Sequence, residues 1–262
     1  MTEVVLYSLH EGVATLTLNR PEKMNSLSLP TVEALSAGAL RAVAEGAGAL
    51  VITGTGRAFC AGADLSGTRG MAGPDGVVDL GAPMRSHYNP LVQTLTTLEI
   101  PVVAAVNGIA AGGGMSLALC ADCVVAARSA TFRCLFIDIH LIPDMGATWL
   151  LERLAGRARA RGMALLGEGV DAATACDWGL IWQVVDDAAL SEAATAIARR
   201  LAGKSRTALQ ATRYALDAGA GATLAAQLDY EARVQAELGR DPEFLQVIAR
   251  FRKPDKSAPS GN

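Results

Sequence analysis

Apolar and polar positions divide the chain into an opening hairpin, a middle of strands alternating with helices, and a helical end. Residues 4–9 and 13–18 run apolar or alternate with polar side chains on either side of His10-Glu11-Gly12, which predicts a β-hairpin. The polar stretch from Asn19 to Ser26 leads to Ser28, which can cap a helix over residues 30–45 that Gly46 and Gly48 end. Residues 49–53 read as a short buried strand. Between 84 and 98, Tyr88, Leu91, Val92, Leu95 and Leu98 recur at helical spacing. Residues 123–127 and 130–132 read as two further strands. Pro143-Asp144 opens a helix through Leu154, a second covers 157–166, Asp171 caps a short one ended by Gly179, and 180–185 form a strand.

The repeated unit is strand, strand, helix, so the fold class is α/β. From Asp187 onward the chain is helical. Segments near 191–202, 205–218, 222–238 and 242–252 carry apolar stripes too extensive for solitary helices, which predicts packing against another subunit. The chain therefore divides into a core over 1–186 and a helical oligomerisation region over 187–262.

The centre of this pattern is the uncharged run from Ile100 to Ala121, IPVVAAVNGIAAGGGMSLALCA. Its length alone would suit a membrane helix, but three successive glycines would break one and no basic cluster flanks it. It reads instead as a buried strand over 102–106, a turn at Asn107-Gly108, and a core helix that starts near Gly113 and ends before Asp122. Glycines let backbone approach a ligand, and the first amides of a helix point outward unpaired, so the junction suits negative charge. Met115 and Ser116 stand where a phosphate loop would need Lys, and G-x-G-x-x-G does not fit. On the residues alone two alternatives stay open: the loop holds an oxyanion, or its glycines only permit close helix-to-sheet packing. A second small-residue loop occupies 54–65. Residues 66–83, rich in Gly and Pro, have no periodicity and read as a surface lid.

Composition narrows the partners. A formal charge of −3 and a pI near 5.7 offer no basic surface for nucleic acid. The N-terminus lacks the basic start and apolar stretch of a signal peptide, which places the protein in the cytoplasm, away from membranes. Five cysteines, an odd number, fit a reducing compartment; Cys120 and Cys123 form a C-x-x-C with no second pair at zinc spacing, so packing is their expected role and no metal is expected.

The stretches AFCAGADL, PVVAAVNGIAAGGGMSLAL, LIPDMGATWLLERLAGRARA and WGLIWQVV resemble the crotonase (enoyl-CoA hydratase/isomerase) superfamily over nearly the whole chain. The resemblance implies a crotonase-like spiral of strand-strand-helix repeats and assembly through C-terminal helices as a homotrimer or a dimer of trimers. It also implies an acyl-CoA thioester as substrate, whose coenzyme A is carried in by the substrate, so no separate cofactor is expected. The amides of Ala63 and Gly113 match the family's oxyanion hole. Substrate contacts are implied for Ala61, Asp64 and Leu65 in the first loop, for Gly112, Gly114 and Ser116 in the second, and for Phe136 and His140.

The two catalytic glutamates of the hydratases fall on Ser116 and Phe136, so the acid and base that position water are absent. Asp144, in IPD, stands at a position used by isomerases and a dehalogenase of the superfamily and is the candidate base. YNPLV, IPD, GRARA and WGLIWQVVDD, with Phe at 136, most resemble the phenylacetate-pathway isomerases that convert ring-1,2-epoxyphenylacetyl-CoA to oxepin-CoA. His140 departs from a usual glycine there and Glu152 from a usual proline. The expected activity is acyl-CoA isomerisation through an oxyanion-stabilised enolate. The alternatives are an enoyl-CoA hydratase with another water-positioning group and a non-catalytic acyl-CoA-binding subunit.

Plainer roles stand beside these. Asp144 after Pro143 has the signature of a helix N-cap. Ser116 with His87 or His140 suggests a serine hydrolase, but no G-x-S-x-G surrounds it. His140, four residues before Asp144, could shift that carboxylate or replace it as base, and is otherwise a core or rim residue. Trp149, Trp178 and Trp182 are expected in the core.

Overall fold

The computed structural model describes residues 3–66 and 76–251. β1 (Val5–His10) and β2 (Val13–Leu18) form the expected antiparallel hairpin, with Val5 opposite Leu18 and His10 opposite Val13. α1 (Leu29–Ala44) starts where Ser28 Oγ accepts the Thr31 N–H, and Pro30 in its first turn gives up an N–H that has no intrahelical partner.

Three strand-strand-helix units follow. β3 (Ala49–Gly54) and β4 (Ala58–Cys60) lead to a helical rod made of α2 (Gly81–Pro83), a π-type stretch over Met84–Tyr88, and α3 (Asn89–Thr97). β5 (Val102–Val106) and β6 (Ile109–Ala111) lead to α4 (Gly113–Leu119). β7 (Cys123–Ala127) and β8 (Thr131–Arg133) lead to α5 (Ala147–Ala155) and α6 (Arg157–Leu166). β9 (Gly169–Asp171), α7 (Ala172–Asp177) and β10 (Gln183–Val185) complete the sheets, with the Asp171 carboxylate accepting the Thr174 N–H as its cap.

The first strand of each unit joins one sheet, ordered β1-β2-β3-β5-β7-β10, and the second joins another, ordered β4-β6-β8-β9. In the large sheet β2, β3, β5, β7 and β10 run parallel. Val103, Val125 and Ile52 are buried, so β3, β5 and β7 read as apolar runs rather than alternations, as strands covered on both faces do. In the small sheet β4, β6 and β8 are parallel and β9 is antiparallel to β8.

Several expectations are corrected. β4, β6 and β9 lie in stretches read as loop or turn, because three residues are too few to show a period. α5 begins at Ala147 rather than Asp144: Met145 (φ 49°) and Gly146 (φ 83°) are left-handed, and a right-handed helix can start only after them. Trp149 and Trp182 are 48% and 68% exposed instead of core, and Trp178 is half-buried. Of the segment expected as a lid, 67–75 lie outside the described residues; at its far end the Asp79 carboxylate accepts the N–H groups of Gly81 and Ala82 and starts α2.

Two compact units divide the chain at Gly203, later than the boundary expected at Asp186. The reason is α8 (Leu190–Ala202), whose Leu190, Ala194 and Ala198 recur every four residues and are buried in the first unit. The second unit, Lys204–Asn262, holds α9 (Arg206–Gly219), α10 (Leu224–Leu238) and α11 (Pro242–Phe251). Ser205 and Thr223 cap the first two, yet neither helix buries a residue, and Leu216, Leu224 and Leu228 stand exposed. Among the described residues no helix is long and apolar enough to cross a membrane.

Candidate active site

The C-terminal ends of the neighbouring parallel strands β4, β6 and β8 open toward one cavity of about 730 Å³. Beyond β4, Gly62 takes φ +97°, and a Cβ there would stand 2.9 Å from the Ala111 carbonyl and 3.3 Å from the Gly113 nitrogen, so the first two loops touch. Ala63 forms an isolated parallel bridge with Leu27: the Leu27 N–H donates to Gly62 O at 2.8 Å and the Asp64 N–H to Leu27 O at 3.0 Å. This pairing uses the amides on either side and leaves the Ala63 N–H without a bond among the described residues.

Asp64 and Leu65 border the cavity with Ala61. The Asp64 carboxylate, expected as a substrate contact, is spent on the loop itself. It bonds the Ser66 hydroxyl and, at 2.8 Å, Arg20, whose guanidinium also donates to Ser26 O. Ser66 first and Arg20 next hold the carboxyl down at about 2.

Beyond β6, Gly112 takes φ 52°, ψ −127°, a conformation open to glycine alone, and donates its N–H to Arg133 O. Gly113 is the first residue of α4, and its N–H likewise has no bond among the described residues. Gly114 does something else. A Cβ there would land on the Cys60 carbonyl, so this glycine serves the packing of α4 on β4 and does not border the cavity, contrary to the expected substrate contact. Gly114→Ala should therefore cost stability, at or above the top of the ~1–3 kcal/mol seen for overpacking, by denaturant unfolding. A fully stable variant would mean that α4 can lift off β4 freely.

Beyond β8, Phe136 is buried on the cavity wall, and its ring tip comes within 3.8 Å of where a Gly112 Cβ would be. His140 is exposed and does not border the cavity, although its neighbours Ile139 and Leu141 do. Its φ of 58° is left-handed, a conformation glycine adopts without strain.

Asp144 does border the cavity. One carboxylate oxygen lies 3.9 Å from where a Gly113 Cβ would stand, and the Ala63 nitrogen lies 3.9 Å from the same point. Burial pushes this carboxyl up to about 6, against the pull of its own backbone N–H. It is not a helix cap, because Gly146 holds that position and the Asp144 contact to α5 is its main-chain carbonyl, which accepts the Ala147 N–H.

Ser116 is fully buried behind the site, another departure from the expected contacts. Its hydroxyl donates to Asp144 O at 3.0 Å and lies 3.3 Å from Gly112 O, tying the carboxylate loop to α4. The serine-hydrolase arrangement fails with it, since His87 pairs with Ser86 and Glu33 instead. The sequence also missed Tyr88 as a cavity residue; its hydroxyl donates to Leu27 O at 2.9 Å. Its place in a helical apolar stripe and at the head of YNPLV marks it in the sequence without placing it in the site.

Leu29, Met84, Leu135, Leu141 and Met145 are among the apolar residues of the remaining wall, and no Lys, Arg or His borders the cavity among the described residues. Two unengaged N–H groups can stabilise a developing oxyanion, and a carboxylate poised near neutrality in an apolar wall can move a proton beside it. Among the described residues no cluster of three His, Cys, Asp or Glu could hold a metal.

The pattern of the Enoyl-CoA hydratase/isomerase family matches residues 8–256. The 1,2-epoxyphenylacetyl-CoA isomerase of Escherichia coli is 45% identical over 253 residues, 96% of each chain. A probable enoyl-CoA hydratase of Rhodobacter capsulatus is 44% identical over 94% of each. Among solved structures, an enoyl-CoA hydratase from Bacillus anthracis superposes with a TM-score of 0.86 at 30% identity, over 95% of this chain and 96% of that one.

Proposed function

Because the chain belongs to the Enoyl-CoA hydratase/isomerase family, we propose that it is an acyl-CoA isomerase that works through an enolate, with Asp144 as base and the Ala63 and Gly113 amides as oxyanion hole. The thioester oxygen takes the two N–H groups. Asp144 removes a proton from the carbon next to the carbonyl, the electron pair moves onto the oxygen, and the proton returns at another carbon. Mass is conserved, and no cofactor is needed beyond the coenzyme A of the substrate. The carrying observation is that the Asp144 carboxylate, raised toward neutrality by burial, borders the same largely apolar cavity as two unengaged amides.

The acyl group we favour is a ring-epoxidised phenylacetyl thioester, as in phenylacetate breakdown. A cavity walled by Leu29, Met84, Leu135 and Met145 suits a cyclic apolar group, and the relative at 45% identity bears that substrate in its name. Incubation with a panel of acyl-CoA thioesters, resolved by mass and absorbance, tests it: isomerisation leaves mass unchanged, while hydration adds one water.

Hydration has in its favour the names of several relatives, the Rhodobacter protein and the Bacillus structure among them. Against it stand Ser116 and Phe136, neither of which can act as acid or base on water. Crotonyl-CoA hydration should therefore run about a hundredfold or more below that of a dedicated hydratase; comparable turnover would reject the isomerase assignment. A purely binding subunit would have no use for the buried carboxylate.

The unburied faces of α9 and α10 and the exposed Leu216, Leu224 and Leu228 suit a partner surface, and we propose that the assembly is the trimer, or pair of trimers, that the family resemblance implies. Light scattering decides this, and a monomer at micromolar concentration would sink it. The pH profile is a further check. A base must be ionised to act, so kcat/KM should climb as pH rises through about 6 and then level off. A profile flat from pH 5 to 8 would show that Asp144 does not carry the proton.

A further inference from the structure

Tyr88 touches the chemistry through the backbone of another residue. It ends the π-type stretch Met84–Tyr88, a widening of the helix that is rare and tends to occur at functional sites. Its hydroxyl donates to Leu27 O at 2.9 Å, and that carbonyl also accepts the Asp64 N–H at 3.0 Å. Leu27 in turn donates its N–H to Gly62 O at 2.8 Å. These bonds grip the chain on both sides of Ala63, whose own N–H is left over. Leu27 is fully buried with the phenol in place.

Building on the oxyanion chemistry proposed above, we infer that Tyr88 is a positioning residue: through Leu27 it sets the direction of the Ala63 N–H and so how strongly the site polarises a thioester carbonyl. Burial first, and then the charges of Asp144 and Asp64, raise the Tyr88 phenol, which keeps its proton on the oxygen and available to Leu27. With that hydrogen committed, Tyr88 does not serve as an acid toward substrate. A preorganised donor loses most of its effect when its aim shifts by a fraction of an ångström.

Tyr88→Phe isolates the bond. The ring and cavity wall stay, and Leu27 O remains satisfied by the Asp64 N–H, so the fold should hold. The probe is cinnamoyl-CoA, a conjugated thioester whose absorbance moves to longer wavelength when its carbonyl is polarised. Four quantities are measured on the full-length protein: the shift on binding, Kd, Tm, and kcat on the enzyme's own substrate.

The expected result is a smaller wavelength shift and a kcat lower by about ten- to a hundredfold, with Kd and Tm nearly unchanged. A full wavelength shift with unchanged kcat overturns the inference. So does a lowered Tm with a full shift, which would make the hydroxyl a structural group only. If wild-type protein gives no shift at all, the oxyanion hole itself fails and both proposals fall together; a wild-type shift retained in full by the variant removes Tyr88 alone.

Discussion

Asp144→Asn is expected to lower turnover by about 10²–10⁴-fold while leaving affinity for a CoA thioester in place. An amide cannot take a proton from carbon, but it has nearly the shape of the carboxyl and can still accept the residue's own N–H. The Ala63 and Gly113 amides are untouched, so the thioester oxygen keeps its partners. Stability should move in a defined direction. Asp144 has a folded-state value of about 6, above its ordinary 3.8, so the folded protein holds the proton more tightly than the unfolded chain. That contribution is fully present below the ordinary value and is lost as pH rises through about 6. At pH 8 the native protein carries the cost of a buried charge that the Asn variant does not. The melting temperature of the variant should therefore equal or exceed that of the wild type at pH 8, and the advantage should vanish toward pH 4. Unchanged isomerisation with intact melting and binding would release Asp144 from the role.

Gly113→Ala is expected to remove activity by a different route, with affinity and turnover falling together. Gly113 lies at a helix start with no left-handed requirement, so the backbone accepts alanine. Its methyl would meet Met145 Sδ at 3.0 Å, and a flexible methionine can yield. The methyl would stand 3.9 Å from both the Ala63 nitrogen and the Asp144 carboxylate, in the space the thioester carbonyl needs. The N–H itself stays, but a carbonyl pushed out of its reach forfeits that donor, a loss of about 10²–10³-fold in turnover. The pair of variants separates two tasks: Asp144→Asn should keep the wavelength shift of bound cinnamoyl-CoA, and Gly113→Ala should abolish it. A Gly113→Ala protein that turns over normally would place the carbonyl elsewhere in the cavity.

What could be read from the sequence was whatever depends on neighbours a few positions away. Ser28 and Asp171 cap α1 and α7 as their spacing predicts, and α6 has its expected bounds, because caps and helical stripes are local. The strands β4, β6 and β9 escaped because each is three residues long and held by partners distant in sequence. Cap and base share one signature at Pro143-Asp144; only the left-handed turn at Met145 and Gly146 shows that the helix starts too late for the carboxylate to cap it. The glycine triplet hid three separate tasks, a turn at Gly112, an open amide at Gly113 and a packing contact at Gly114. Composition cannot tell these apart. Tyr88 was missed because its partner, Leu27, lies 61 positions away.

The parallel pairing of β4 with β6 has a further consequence, in scale. Adjacent strands stand about 4.8 Å apart. Two hydrogen bonds of about 2.9 Å that converge on one oxygen at a roughly tetrahedral angle need donors about that far apart. Ala63 and Gly113 follow those two strands, so the spacing of a β-sheet starts their loops at about the separation an oxyanion requires. Main chain sets that distance, and the Tyr88 hydroxyl, through Leu27, trims only the direction of one donor. Mutational drift can therefore reshape the walls of the cavity, and with them the choice of acyl group, while the spacing of the electrophilic half survives wherever the sheet, Gly113 and the Tyr88 bond to Leu27 are kept.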